Sequence, residues 1–145
     1  MDKRILNVRI DNARIIWRSF GAPDKYGKKG FNVIIEDADL AKQMKDDGWN
    51  VKELQPKEEG DPVVWRIPVE TRWDKKPPKI RVYKSHDNEE DYVVLNEDTV
   101  ECLDYSDIER IDLELSPSVW DDHGVDAVKA YLGKMKVWLA EDDFF

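Results

Sequence analysis

A chain of 145 residues, 41% hydrophobic and 38% charged, is large enough for one real core and too small for two comfortable ones. No run approaches the roughly 20 apolar residues of a membrane span, the opening MDKRILNVRID has no apolar signal-peptide centre, and a single cysteine, Cys102, excludes an internal disulfide. These features lead us to expect a cytoplasmic protein in which Cys102 is a small buried apolar residue, and the net charge of −9 weighs against a nucleic-acid partner unless the charge is segregated.

Ile5 to Trp17 alternates in part and predicts one long strand, bent or bulged near Asp11-Asn12, of the sort that curls around a small barrel. Ser19 to Gly30 is a loop, since Gly21, Pro23, Gly27 and Gly30 preclude regular structure. Its Phe20, Tyr26, Lys28 and Lys29 suit a clamp over a DNA strand, or simply a charged and soluble hairpin connection. Phe31 to Ile35 is a short β-branched strand. Asp37 or Asp39 can cap a helix to about Asp47 with Leu40, Ala41 and Met44 on one face, and Gly48 stops it.

Trp49, Val51 and Leu54 suggest a short strand, and Gln55 to Pro62 a loop. Val64 to Lys84 predicts a hairpin of two strands joined by a basic turn that Pro77-Pro78 stiffens. Tyr92 to Leu95 is a short strand, and Asn96 or Asp98 can start a short helix through Leu103. Ile108 to Val119 alternates as a half-buried strand, a WDDHG turn follows, and Val125 to Ala140 closes the domain as a strand. The pattern suggests a mainly β, partly closed antiparallel barrel with one or two short helices. The oligonucleotide-binding fold, five strands with an additional hairpin here, is one such barrel, and another all-β roll fits nearly as well.

Charge divides along the chain. Arg14 to Gly30 has five cations and one acid, Val64 to Lys84 seven cations and two acids, so the two segments carry +4 and +5. His86 to Glu109 has ten carboxylates and no Lys or Arg. Interleaved with the hairpin cations are Trp65, Trp73 and Tyr83, and rings beside cations are what single-stranded nucleic acid requires, because bases stack while phosphates pair with charge. The plainer account is a half-buried hairpin whose tryptophans point into the core. A third account is an acidic interaction module or DNA mimic that uses the His86 to Glu109 face to inhibit a host protein.

Two histidines, His86 and His123, and one cysteine make no zinc spacing, and neither a phosphate-cradling glycine loop nor a nucleophile elbow occurs. We therefore expect neither catalysis nor a metal or cofactor. A binder for duplex DNA is disfavoured because no helix carries the basic residues for groove entry.

Nearly the whole chain resembles phage-encoded single-stranded DNA-binding proteins with an oligonucleotide-binding fold and an acidic C-terminal tail. The resemblance lies in ARIIWRSFG from Ala13 to Gly21, FNVII, DGWNVKELQPKEEGD from Asp47 to Asp61, Pro77-Pro78-Lys79-Ile80, Leu103-Asp104 followed by IDLEL, and AYLGKMKV. It implies a domain over residues 1–140 that protects single strands in replication, recombination or repair. It also implies a tail, Glu141, Asp142, Asp143, Phe144 and Phe145, that recruits replication or recombination proteins.

The residues expected to touch DNA are Trp17, Arg18, Phe20, Tyr26, Lys28, Lys29, Trp65, Arg66, Arg72, Trp73, Lys75, Lys76, Lys79, Arg81 and Tyr83. Alternation means that some of these rings belong to the core: Trp65 and Ile67 share one strand face and Arg66 takes the other. Monomer and homodimer are both compatible with the sequence.

Overall fold

The computed structural model describes residues 6–140 apart from residues 24, 26, 57, 75, 84–89 and 123–124, with the backbone alone at 120–122 and 125–126. The elements in chain order are β1 (Val8–Ile10), β2 (Arg14–Ser19), β3 (Gly30–Ile35), α1 (Ala38–Asp46), β4 (Lys52–Leu54), β5 (Val64–Glu70), β6 (Lys79–Tyr83), β7 (Tyr92–Leu95), α2 (Cys102–Tyr105), β8 (Ile108–Asp122) and β9 (Val125–Leu139).

The strands form one sheet whose hydrogen-bonded path runs β1-β8-β9-β5-β3-β2, with β4 on β5 and β7 on β6. β1 and β2 stand at opposite ends of that path although only a bend separates them in sequence. Asn12 makes the bend at φ 52°, a left-handed conformation that Asn tolerates better than most residues. The Asn12 amide donates to the Asp112 carboxylate at 2.8 Å and the Ala13 amide to the Ile111 carbonyl at 2.7 Å, which ties the bend to β8. The sheet is therefore wrapped but not closed by a continuous ladder, an arrangement consistent with an oligonucleotide-binding-like fold carrying extra strands.

Alternation decides what lies inside. Val33 and Ile35 of β3, Ile67 and Val69 of β5, Ile80 and Val82 of β6, Ile111, Leu113 and Leu115 of β8, and Val128, Ala130 and Leu132 of β9 form one core. α1 covers part of that core with Ala41 and Met44, and truncating a side chain as buried as Met44 to alanine costs about 2–5 kcal/mol. Its start is set by Asp37, whose carboxylate accepts from the Asp39 and Leu40 amides. Its end is set at Gly48, φ 103°, where the chain turns to place buried Trp49 beside Val128 of β9.

Three sequence expectations need correction. Val64 to Lys84 is not a hairpin: β5 and β6 both run parallel to β9, one after the other along the same edge, pairing at Val69↔Ala130 and Glu70↔Tyr131 and then from Lys79↔Lys134 to Tyr83↔Trp138. Arg72 and Lys76 bridge each other across a tight loop, and the prolines that follow lack the amides a hairpin ladder needs. The chain therefore leaves the sheet for one loop and rejoins it in the same direction. The second helix begins only at Cys102. Asn96 does take the Asp98 and Thr99 amides onto its side chain as a cap would, but the bonds that follow, Cys102 to Thr99 and Leu103 to Val100, span only three residues, so the segment runs as turns before the single helical turn. Cys102 itself is exposed rather than buried, at the start of that single turn. β8 also runs on to Asp122, and the tip of the WDDHG turn lies outside the described residues.

Candidate nucleic-acid interface

The site begins with a bulge. In the β2–β3 ladder Ile16 faces Asn32 and Ser19 faces Gly30, so Trp17 and Arg18 together stand opposite Phe31. Trp17 has φ 55°, a conformation that costs a bulky residue of order 1–3 kcal/mol and persists only where its surroundings enforce it. The surroundings are visible. Arg18 donates to the Leu103 and Ser106 carbonyls at 2.9 and 2.8 Å, and the Asp104 carboxylate accepts from the Phe20 and Gly21 amides at 2.7 and 2.9 Å. Anchored on its C-terminal side by α2, the bulge turns the Trp17 ring outward, where it is 60% exposed.

Ring and strands enclose a groove of about 720 Å³. Its floor is the outer face of β3 and β5, Asn32 with Arg66, Pro68 and Glu70. Lys25, Lys28 and Lys29 line it from the loop, Lys52 from β4 and Lys129 from β9. Among the described residues six cations thus meet one carboxylate, Glu70, which pairs with Lys129 at 2.5 Å. Arg66 donates to Asn32 at 2.8 Å, and its guanidinium lies 4.9 Å from the centre of the Trp17 ring. Gly30 is required at the groove's base: its φ is 152°, and a Cβ there would lie 2.0 Å from the Val69 carbonyl oxygen.

The residues expected to touch DNA fall into several sets. Trp17, Lys28, Lys29 and Arg66 come together in the groove. Arg72 and Lys76 sit in the loop after β5, beside a neighbouring cleft. Lys79, Arg81 and Tyr83 lie on β6, which pairs with β9 at Lys134 to Trp138. Lys129 to Lys136 is roughly 23 Å at strand spacing, so these three belong to another surface. There Tyr83 is 2% exposed and stacked on Trp138 at 5.1 Å, and Arg81 caps Tyr92.

Five of the expected residues are turned away from a DNA contact. Phe20 is fully buried against Phe31, so it holds the loop and is closed to a base. Tyr83 is closed in the same way. Trp65 and Trp73 pack against the core, Trp65 on the side opposite Arg66 as alternation requires. Arg18 is committed to the carbonyls of the α2 turn. Tyr26, Lys75 and the segment Glu141, Asp142, Asp143, Phe144 and Phe145 lie outside the described residues.

Lys25, Lys52 and Lys129 line the groove although the sequence did not single them out. Strict alternation in β9, with Val128, Ala130 and Leu132 buried, would have set Lys129 and Tyr131 on the outer face. Within the acidic stretch, Asp104 is spent on holding the loop, and Glu97 lies 4.0 Å from the Lys29 amine. Partial desolvation and then the Asp104 charge push the Cys102 thiol pKa up, which disfavours the thiolate. Among the described residues no group of three or more His, Cys, Asp or Glu could hold a metal ion, and no helix is long and apolar enough to cross a membrane.

A mainly β, oligonucleotide-binding-like sheet with a cationic groove and an outward ring defines a binding domain of a recognisable class. The family model described as "Putative phage ssDNA-binding domain" matches residues 1–144, and the chain belongs to that family. Among solved structures it is similar to the single-stranded DNA-binding protein from bacteriophage Enc34, with a TM-score of 0.58 and 10% identity over 96% of this chain and 84% of that one. At that identity the likeness is one of fold. No curated protein matches the chain.

Proposed function

We propose that this protein binds single-stranded DNA without regard to sequence, along the groove beside Trp17. One observation carries the reading: a strained, outward tryptophan stands at the rim of a groove lined by six cations and one acid, with a guanidinium over its ring. A base stacks on the Trp17 face while Lys28, Lys29, Lys52 and Arg66 take phosphates, and among the described residues no helix lines the groove, as reading a duplex would need. Membership of the phage family supports it, as does the likeness in fold to the Enc34 single-stranded DNA-binding protein. The role is binding rather than catalysis. In a phage-infected cell it protects single strands in the host cytoplasm during replication or recombination.

The segment Glu141 to Phe145 combines three carboxylates with two rings, the chemistry of a short peptide that docks on a basic-rimmed apolar pocket, and we assign it the recruitment of replication or repair proteins. Titrating intrinsic tryptophan fluorescence with single-stranded and duplex oligonucleotides over a salt series tests the binding. Quenching by single strands, weakening as salt rises, is the expected result. No binding to single strands at low salt would sink the proposal.

A further inference from the structure

Beyond the Trp17 groove the same sheet face continues into a second cleft of about 400 Å³, lined by Arg72, Lys76, Ser116, Pro117, Ser118 and Tyr131. We propose that this cleft is a second nucleotide subsite, in which Tyr131 stacks a base and Arg72 and Lys76 hold the neighbouring phosphate. The proposal rests on the single-strand reading of the first groove and extends it.

The two clefts are joined by register. Glu70 of the first groove pairs with Tyr131 of the second, and Val69 pairs with Ala130. Lys129, which lines the first groove, stands two residues from Tyr131 on the same face of β9, its amine 5.6 Å from the centre of the Tyr131 ring. On the far side Ser116 pairs with Tyr131 and Ser118 with Lys129, which puts two hydroxyls beside the ring and the amine. From β3 through β5 and β9 to β8 is three strand spacings, about 14 Å, of outward-facing surface. A strand entering at Trp17 and crossing the sheet meets a ring, then cations, then a second ring. That alternation suits stacking and phosphate pairing in turn.

The second cleft is less cationic than the first, and the reason is specific. Arg72 is engaged by Asp74 through paired contacts of 3.2 and 3.3 Å. Asp74 is two-thirds exposed, so a phosphate can displace it without burying a lone carboxylate. Removing Asp74 should therefore favour DNA, a result opposite in sign to removing Arg72.

The test compares oligothymidines of about 4 and about 16 nucleotides, the short and long ends of single-fold site sizes. Wild-type protein, Tyr131→Leu, the pair Arg72→Gln with Lys76→Gln, and Asp74→Asn are titrated with both, and thermal melting checks folding. We expect Tyr131→Leu and the paired variant to bind the short oligomer as wild type does, and to lose about tenfold on the long one. Tyr131→Phe restores long-oligomer affinity because it keeps the ring. The paired variant also lowers the salt slope for the long oligomer by about 0.7, the contribution of the one phosphate that the two cations hold on a single strand. Asp74→Asn strengthens long-oligomer binding. Wild-type affinity for the long oligomer in Tyr131→Leu and the paired variant overturns the subsite, as does equal loss on both lengths. Failure of wild-type protein to bind either oligomer would instead overturn the first groove, and the subsite with it.

Discussion

The guanidinium of Arg66 lies 4.9 Å from the centre of the Trp17 ring, on the strand one beyond the ladder partner of β2, and reaches it while hydrogen-bonded to Asn32 of the strand between. Three adjacent strands thus converge on one exposed ring. The arrangement is pre-organised: a bulge sets the ring and the Asn32 hydrogen bond holds the guanidinium beside it, so less has to order on binding.

Because Trp17 is held at positive φ, its removal separates stability from binding. Trp17→Gly relieves backbone strain of about 1–3 kcal/mol and should leave the unfolding free energy unchanged or higher, after the entropic cost of a glycine. Affinity for single strands should fall by about 1–3 kcal/mol, the worth of one base stack. Urea unfolding and DNA titration on the same preparations check both, and a variant that unfolds more readily yet binds normally would refute the assignment.

Among the described residues Glu70 is the one carboxylate lining the groove, and it neutralises Lys129. Glu70→Gln frees that amine for a phosphate, so affinity should rise, and the salt slope should steepen by roughly 0.7. Binding measured at several salt concentrations distinguishes this from a nonspecific gain, which would leave the slope unchanged.

Arg18 and Asp104 act on the loop rather than on DNA. Asp104→Ala leaves the Phe20 and Gly21 amides without their acceptor and should cost about 1–3 kcal/mol of stability. Arg18→Met should cost about 1 kcal/mol while reducing affinity less than twofold. A large affinity loss in Arg18→Met, with unchanged melting, would return Arg18 to the binding surface.

Asp112 makes the bend between β1 and β2 sensitive to acid. Burial pushes its carboxyl pKa up, but the Asn12 amide and the Arg110 guanidinium together pull it further down, so the net is below the ordinary carboxylate value. A folded-state pKa below the unfolded one stabilises the fold above the unfolded value, near 4, and the contribution is lost as pH falls through the lower folded value. Asp112→Asn should therefore be less stable than wild type at pH 7, with the gap closing as the medium is acidified below about pH 4. Urea midpoints at neutral and acidic pH give the comparison.

Much of this architecture was legible where the cause is local. The bend at Asp11-Asn12, the Asp37 cap, the Gly48 stop and the alternation of β8 depend on neighbours in sequence. The direction of β6 does not, because it is set by β9, more than fifty residues onward, and two adjacent strands joined by a basic turn look the same whether they pair with each other or with a third. The site divides in the same way. Trp17, Lys28, Lys29 and Arg66 sit in locally basic segments, whereas Lys52 and Lys129 are single cations delivered by other strands. Phe20 and Tyr83 misled because composition records a ring beside a cation without recording which way the ring faces.

The end-to-end seating of β5 and β6 on β9 also bears on how the molecule would come apart. A protease that nicks the loop between Arg72 and Lys76 severs the polypeptide, yet each new end belongs to a strand still registered on β9. The two fragments should migrate as one particle under native conditions and separate only in denaturant. The same loop is thus a natural place to split the protein into complementing halves.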